Sequence, residues 1–299
     1  MVDANQASES AQHRSEAASP ELPVIAMIGA GNMTGAILSG LTRPGQGSAE
    51  PVRVTNRSAA SAAKFDGDER VRAFAAETDP RANAHAVEGA GLVLIGVKPY
   101  QVADVLDEIH DALEPGVVII SVAAGIPLAK LEEHAPAGAR VVRAMPNTPA
   151  TIGLGVTGIA GGAAADEEAL ALARAVFGTV GEVVEVAEGD EFDALAAVAG
   201  SGPAHVYLLV EEMERAAQRA GLDAAKARAL VVGTMRGAIE MVARTPDVEP
   251  SELRRRVTSP NGTTEQSIAV LQAGGLEGLF ARAFEANMAR TREIAAENA

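Results

Sequence analysis

The chain has 299 residues, 40 of them acidic against 25 basic, for a formal charge of −15 at pH 7. Such a surface repels a phosphate backbone and argues against a nucleic-acid partner. With no cysteine there is no disulfide framework, thiol nucleophile or thiolate-held metal, and the length suits about two domains.

Residues 1–22 are rich in Ser, Ala, Gln and Glu without apolar periodicity, and are expected to form a disordered tail. Their charges, Asp3, Glu9, Glu16 and Glu21 against Arg14, are the reverse of a secretory leader. The longest markedly apolar stretch, Val117 to Ile126, is shorter than the ~20 residues that cross a bilayer. A cytoplasmic protein with no membrane partner is the expectation.

Over residues 23–187, short β-branched runs recur at Val24–Ile28, Val52–Thr55, Val71–Phe74, Leu92–Val97, Val117–Val122, Val141–Ala144, Val156–Ile159 and Val183–Val186. Helical segments between them start near Met33, Ser58, Arg81, Gln101, Leu128 and Asp166. This alternation predicts an α/β domain of the Rossmann type, a parallel sheet covered on both faces. Residues 188–299 hold only helical periodicity, at Phe192–Val198, Ala204–Ala220, Ala224–Ala243, Thr264–Leu271 and Leu276–Ile294. Apolar residues on more than one face, such as Val206, Leu208, Leu209, Val210 and Met213, predict burial against another subunit.

The first strand runs into Gly29-Ala-Gly31-Asn32-Met33-Thr34-Gly35. Gly29 permits the tight turn, and Gly31 lets backbone approach a pyrophosphate where Asn32 and Met33 open the helix. Thr34 stands where the strict pattern has its third glycine, displaced here to Gly35; the alternative is a glycine turn chosen only for close packing. About 20 residues on, where an NAD site has an acid, stand Asn56, Arg57 and Ser58. A guanidinium fork suits a 2′-phosphate, which favours NADPH, with NADH the weaker alternative, unless Arg57 is a solvated loop residue. After the fourth strand come Val97, Lys98 and Pro99, and after the fifth Ser121-Val-Ala-Ala124-Gly125, small enough to leave room for ribose and nicotinamide. Lys98 either reaches a phosphate or ribose or is solvated. Asn147, in Met145-Pro-Asn-Thr-Pro149, either hydrogen-bonds the cofactor or closes an Asx turn.

In the helical half, Ala199–Tyr207 is explained as a helix start with small residues for close packing. Thr258-Ser259-Pro-Asn-Gly262-Thr263-Thr264 leads a turn into a helix N-terminus, either a carboxylate-binding nest or an ordinary helix start capped by the threonines. The five histidines lack metal-ligand spacing, so no metal is expected. Ser201 is not in a nucleophile elbow.

These segments, in this order and at these separations, resemble the pyrroline-5-carboxylate reductase family over nearly all of residues 23–296. The resemblance implies a Rossmann domain followed by a helical dimerisation domain, and NADPH-dependent reduction of the cyclic imine 1-pyrroline-5-carboxylate to L-proline, the last step of proline biosynthesis. It places Thr264 near the imine nitrogen and Ser259, Gly262 and Thr263 around the substrate carboxylate at a dimer interface. Cofactor positions fall at Gly29, Gly31, Asn32, Met33, Asn56, Arg57, Ser58, Val97, Lys98, Pro99, Ala124 and Asn147. Asn261 stands where the family has a second glycine, and His205 where an aromatic is commoner. A β-hydroxyacid dehydrogenase is the rival enzyme, but it needs a lysine on the long helix, and Ala204–Ala220 has none. A non-catalytic redox sensor is the rival from another class.

Overall fold

The computed structural model describes residues 20–297, which divide into two compact units, residues 20–200 with 291–297 and Ser201–Arg290. Residues 1–19 of the expected tail lie outside the described residues, whereas Leu22 is buried in the core. The folded chain therefore starts before Pro23.

The first unit is an eight-stranded sheet in the order β3-β2-β1-β4-β5-β6-β7-β8. Its strands are β1 (Ile25–Ile28), β2 (Val52–Asn56), β3 (Val71–Ala75), β4 (Leu92–Ile95), β5 (Val118–Ser121), β6 (Arg140–Met145), β7 (Gly155–Gly161) and β8 (Gly181–Glu185). β1, β4 and β5 are buried at every residue, as strands covered on both faces must be. Ile25 and Met27 pack into one core layer and Ala26 and Ile28 into the other, so the alternation of the pleat feeds both. Six strand pairings are parallel, but β6 and β7 are antiparallel, against the all-parallel expectation. Their link holds only a 3₁₀ turn at Thr148–Ile152 and Gly153 at φ +75°, too little chain for the dozen-residue crossover a parallel return needs.

The helices of this unit are α1 (Asn32–Leu41), α2 (Ala59–Ala62), α3 (Ala82–Val87), α4 (Val102–Ile109), α5 (Leu128–His134), α6 (Glu167–Gly178) and α7 (Asp190–Leu195). Ser58 and Asp166 cap α2 and α6 through their side chains. Phe192 on α7 is fully buried in the sheet core with the Arg143 guanidinium 3.9 Å above its ring. The first compact unit runs to Gly200, with Phe192, Leu195 and Ala197 buried in it.

In the second unit lie α8 (Gly202–Arg219), α9 (Ala224–Arg244), α10 (Pro250–Arg256), α11 (Thr263–Ala273) and most of α12 (Leu276–Glu297). α8 and α9 pack as a hairpin around Gly221 at φ +103°, with the Asp223 carboxylate accepting from the Lys226 N–H at 2.8 Å. α10 was not expected: Pro250-Ser-Glu-Leu-Arg-Arg-Arg256 is nearly all polar and shows no apolar period. His205 packs 5.7 Å from Phe284 and 6.5 Å from Phe280, in line with a packing residue. None of α8, α11 and α12 has a buried residue; Ile239 is 68% exposed and Val270 72%. The helical run Asp190–Arg219 is also long and apolar enough to cross a bilayer by length and composition, longer than the stretch found from sequence.

Candidate active site

The strand order reverses between β1 and β4, and in doubly wound sheets a ligand crevice opens there at the carboxyl ends of the strands. Gly29 follows β1 at φ +89°, a conformation side chains avoid, and a Cβ there would lie 3.0 Å from Val97 Cγ1. Its N–H donates to Thr55 Oγ1 at 3.3 Å, which ties the turn to the end of β2. Gly31 is the N-cap of α1, and a Cβ on it would touch nothing nearer than Thr34 Oγ1 at 4.0 Å. The Asn32, Met33 and Thr34 N–H groups lack intrahelical acceptors, and no acid stands in that first turn to compete for an anion.

The third glycine works differently from the sequence pattern. Gly35 has open space around it, so no packing demand explains it. Close approach of α1 to the sheet comes instead from Gly96, where a Cβ would meet the Thr34 methyl at 2.1 Å, while Thr34 Oγ1 donates to the Gly29 carbonyl at 2.7 Å. Thr34 and Gly96 act as a pair, on elements too far apart in sequence for the motif to show it.

At the end of β2, Asn56 is buried and its Nδ2 has no hydrogen-bond partner among the described residues. A buried amide donor left open at the end of β2 is chemically suited to a ribose hydroxyl or a phosphate oxygen. Arg57 is exposed and without an ion pair among the described residues. The Ser58 hydroxyl is engaged with Ser61, accepting from its N–H at 3.3 Å and lying 3.1 Å from its Oγ, so it serves first as the α2 cap. Val97 is half-buried and Lys98 and Ala124 are exposed, with Pro99 opening a 3₁₀ turn.

Asn147, an expected cofactor contact, is engaged within the fold. Its Nδ2 donates to the Ala199 carbonyl at 3.0 Å and its Oδ1 accepts from the Val156 N–H at 2.9 Å, so both ends of the buried amide hold the loop to the protein. Arg143, three residues before that loop's first proline, Pro146, donates to Glu188 Oε1 at 2.6 Å, and the same oxygen accepts from the Leu128 N–H at 3.3 Å. That pair, a buried guanidinium with a more exposed carboxylate, carries no local signal in the sequence, where Arg143 is one arginine at the end of a strand.

In the second unit, Gly262 is the N-cap of α11, so Thr263 and Thr264 occupy its first two positions and neither side chain caps it. Among the described residues neither hydroxyl makes a hydrogen bond. The Gly262 N–H, expected to hold a carboxylate, is committed to the Ser259 carbonyl at 3.0 Å; the open donors are the N–H groups of Thr263, Thr264 and Glu265. A Cβ on Gly262 would fall 2.4 Å from Ser259 Oγ, which requires glycine there. Asn261 takes φ +56°, the left-handed region that asparagine tolerates best after glycine, and its N–H donates to Glu265 Oε2 at 2.7 Å. Carboxylates held well below their ordinary range belong to surface pairs and caps, such as Glu252, pushed down to about 2 by hydrogen bonds from Arg255 and Arg256. Among the described residues no group of acids and histidines is placed to hold a metal.

The family model for pyrroline-5-carboxylate reductase dimerisation matches residues 189–294, and that for NADP oxidoreductase, coenzyme F420-dependent, matches residues 24–125. Pyrroline-5-carboxylate reductase of Pseudomonas aeruginosa is 40% identical over 273 residues, 91% of this chain and 97% of that protein. The enzyme of Corynebacterium melassecola is 38% identical over 276 residues, 91% and 99% of the two chains. Among solved structures, a pyrroline-5-carboxylate reductase from Coxiella burnetii superposes with a TM-score of 0.85 at 35% identity, over 92% of this chain and 99% of the other. The Plasmodium falciparum pyrroline carboxylate reductase with NADP bound shares the fold at a TM-score of 0.76 and 24% identity, over 92% and 99%. With relatives this similar over nearly its whole length, the chain belongs to the pyrroline-5-carboxylate reductase family.

Proposed function

We propose that the chain reduces 1-pyrroline-5-carboxylate to L-proline with NADPH, as a cytoplasmic homodimer or dimer-based oligomer. The observation that carries this reading is the N-terminus of α11, with three unused N–H donors and two threonine hydroxyls that cap nothing. Those N–H groups suit the substrate carboxylate, since anion and helix dipole attract there. The one acid of that first turn, Glu265, is folded back on the Asn261 N–H, which leaves the donors to the substrate.

When bound, the dinucleotide supplies the hydride that adds to C5 of the imine. The chain's own work is to bind and align. Gly29, Gly31 and the open N–H groups of Asn32 and Met33 take the pyrophosphate, Asn56 and Arg57 the ribose 2′ end, and Val97, Lys98, Pro99 and Ala124 border the nicotinamide half. Thr264 Oγ1 holds the imine nitrogen, and Ser259 with Thr263 shapes the carboxylate pocket. A cyclic imine can arrive protonated, so proximity and electrostatics carry the reaction and no strong acid is needed. This agrees with the absence of a lysine between Lys130 and Lys226. The exposed apolar side chains of the helical unit are read as the surface that the second subunit covers.

Steady-state turnover of pyrroline-5-carboxylate with NADPH, run beside NADH, tests the proposal. Faster turnover with NADPH is expected. Cofactor binding without any substrate-dependent oxidation would overturn it in favour of a redox sensor.

A further inference from the structure

Beyond Arg57, a second residue bears on the same end of the dinucleotide. β2 and β3 pair in register up to Asn56 and Ala75, and the ladder continues past both strands. The Ala76 N–H donates to the Asn56 carbonyl at 2.9 Å and the Glu77 N–H to the Arg57 carbonyl at 3.0 Å. The Glu77 carboxylate then turns back across the loop, where Oε2 accepts from the Ala59 N–H at 2.8 Å. Backbone and side chain of Glu77 are thus both fastened to the segment 57–59. Among the described residues neither Glu77 nor Arg57 has an ion-pair partner, so a carboxylate and a guanidinium flank one short loop without neutralising each other. The third group at this strand end is the buried, unpaired Asn56 Nδ2, which serves a ribose hydroxyl and a phosphate oxygen equally well.

We infer that Glu77 is a second determinant of cofactor choice, a fixed carboxylate beside Arg57 that penalises a 2′-phosphate and accepts a hydrogen bond from a free 2′-hydroxyl. The inference rests on the reading that residues 56–58 receive the ribose 2′ end. An acid a few ångströms from a phosphate dianion repels it, and the repulsion is screened by salt. A hydroxyl at the same place loses nothing and gains an acceptor. Glu77 therefore offsets part of what Arg57 contributes and keeps NADH usable, although the acid follows the end of β3 and not the end of β2 where an NAD site usually has it.

Calorimetric titration of the full-length protein with adenosine 2′,5′-bisphosphate and with ADP reads the 2′ end without any turnover. Glu77→Gln keeps an oxygen for the Ala59 N–H and removes the charge. It should tighten the bisphosphate about five- to thirtyfold, leave ADP nearly unchanged, and lose most of that gain in concentrated salt. Glu77→Lys should extend the effect in the same direction. An unchanged ratio of the two affinities in both variants, or an equal change for both probes, would overturn the inference. Arg57→Ala, titrated in parallel, strikes the other reading: if it spares the bisphosphate while Glu77→Gln tightens it, Arg57 is not the clamp and Glu77 still discriminates. If Arg57→Ala weakens the bisphosphate and the Glu77 variants do nothing, the clamp stands and the inference falls.

Discussion

The two units use similar apolar content in opposite ways. In the first, whole strands such as Leu92–Ile95 are buried on both faces and the core closes on itself, with Phe177 and Phe192 inside. In the second, only Ala227 and Val231 are buried, while side chains as large as Ile239 and Val270 face outward. The sheet, with helices on both sides, buries its own hydrophobic surface; the helices of the second unit leave much of theirs outward, the kind of surface a partner covers. The first unit thus closes a core of its own, and the second presents the surface that its dimerisation-domain match assigns to self-association.

The largest effect expected from separating the two is at the boundary. A fragment ending at Gly200 should sediment as a monomer, bind dinucleotide by fluorescence titration, and show no turnover. One ending at Ala187 should be far less stable, since losing a fully buried phenylalanine alone costs about 3–5 kcal/mol. A dimer formed by the Gly200 fragment would break the contrast, because the first unit would then carry its own interface.

Next in size is the effect expected at the N-terminus of α11. Thr264→Ala should lower kcat/KM about ten- to a hundredfold, the worth of one hydrogen bond to a charged group, with NADPH affinity unchanged, and Thr264→Ser should recover much of it. A loss beyond about a thousandfold would mean that a true proton donor operates there.

Asn147→Ala tests whether a residue of the first unit is structural where a cofactor contact was expected. It strands the Ala199 carbonyl and the Val156 N–H, so unfolding free energy should fall about 2–4 kcal/mol in denaturant titration with dinucleotide affinity little changed. A selective loss of affinity at full stability would return Asn147 to the cofactor. The smallest effect is expected at His205: Gln in its place should cost only about 0.5–1.5 kcal/mol of aromatic packing and spare turnover. Abolished turnover would transfer to the histidine the role given to Thr264.

Much of this was legible in the residues. All eight strands coincide with β-branched runs, and the helices start within a residue or so of Met33, Ser58, Arg81, Gln101, Leu128 and Asp166, because burial on two faces and capping are local demands. The glycine turn and the threonine-bearing helix start were visible for the same reason: backbone geometry at Gly29, Asn261 and Gly262 restricts which residue types fit. α10 escaped because solvated helices carry no apolar period.

What could not be read locally depends on partners far away in the chain. Asn147 looks like a free amide until Ala199 and Val156 are brought to it, 52 and 9 residues away. Thr34 looks like a missing glycine until Gly96 makes room for its methyl, and Glu77 looks like a surface acid until β3 lays it against the loop that follows β2. The antiparallel turn of β7 likewise follows from the length of its connection, not from the strand's own composition. Secondary structure and turn chemistry are set by near neighbours and hydrophobic period, so they are written along the chain. Whether a polar group is free to meet a ligand is set by which other groups the fold brings within about 3 Å of it, and that is a property of the packed molecule alone.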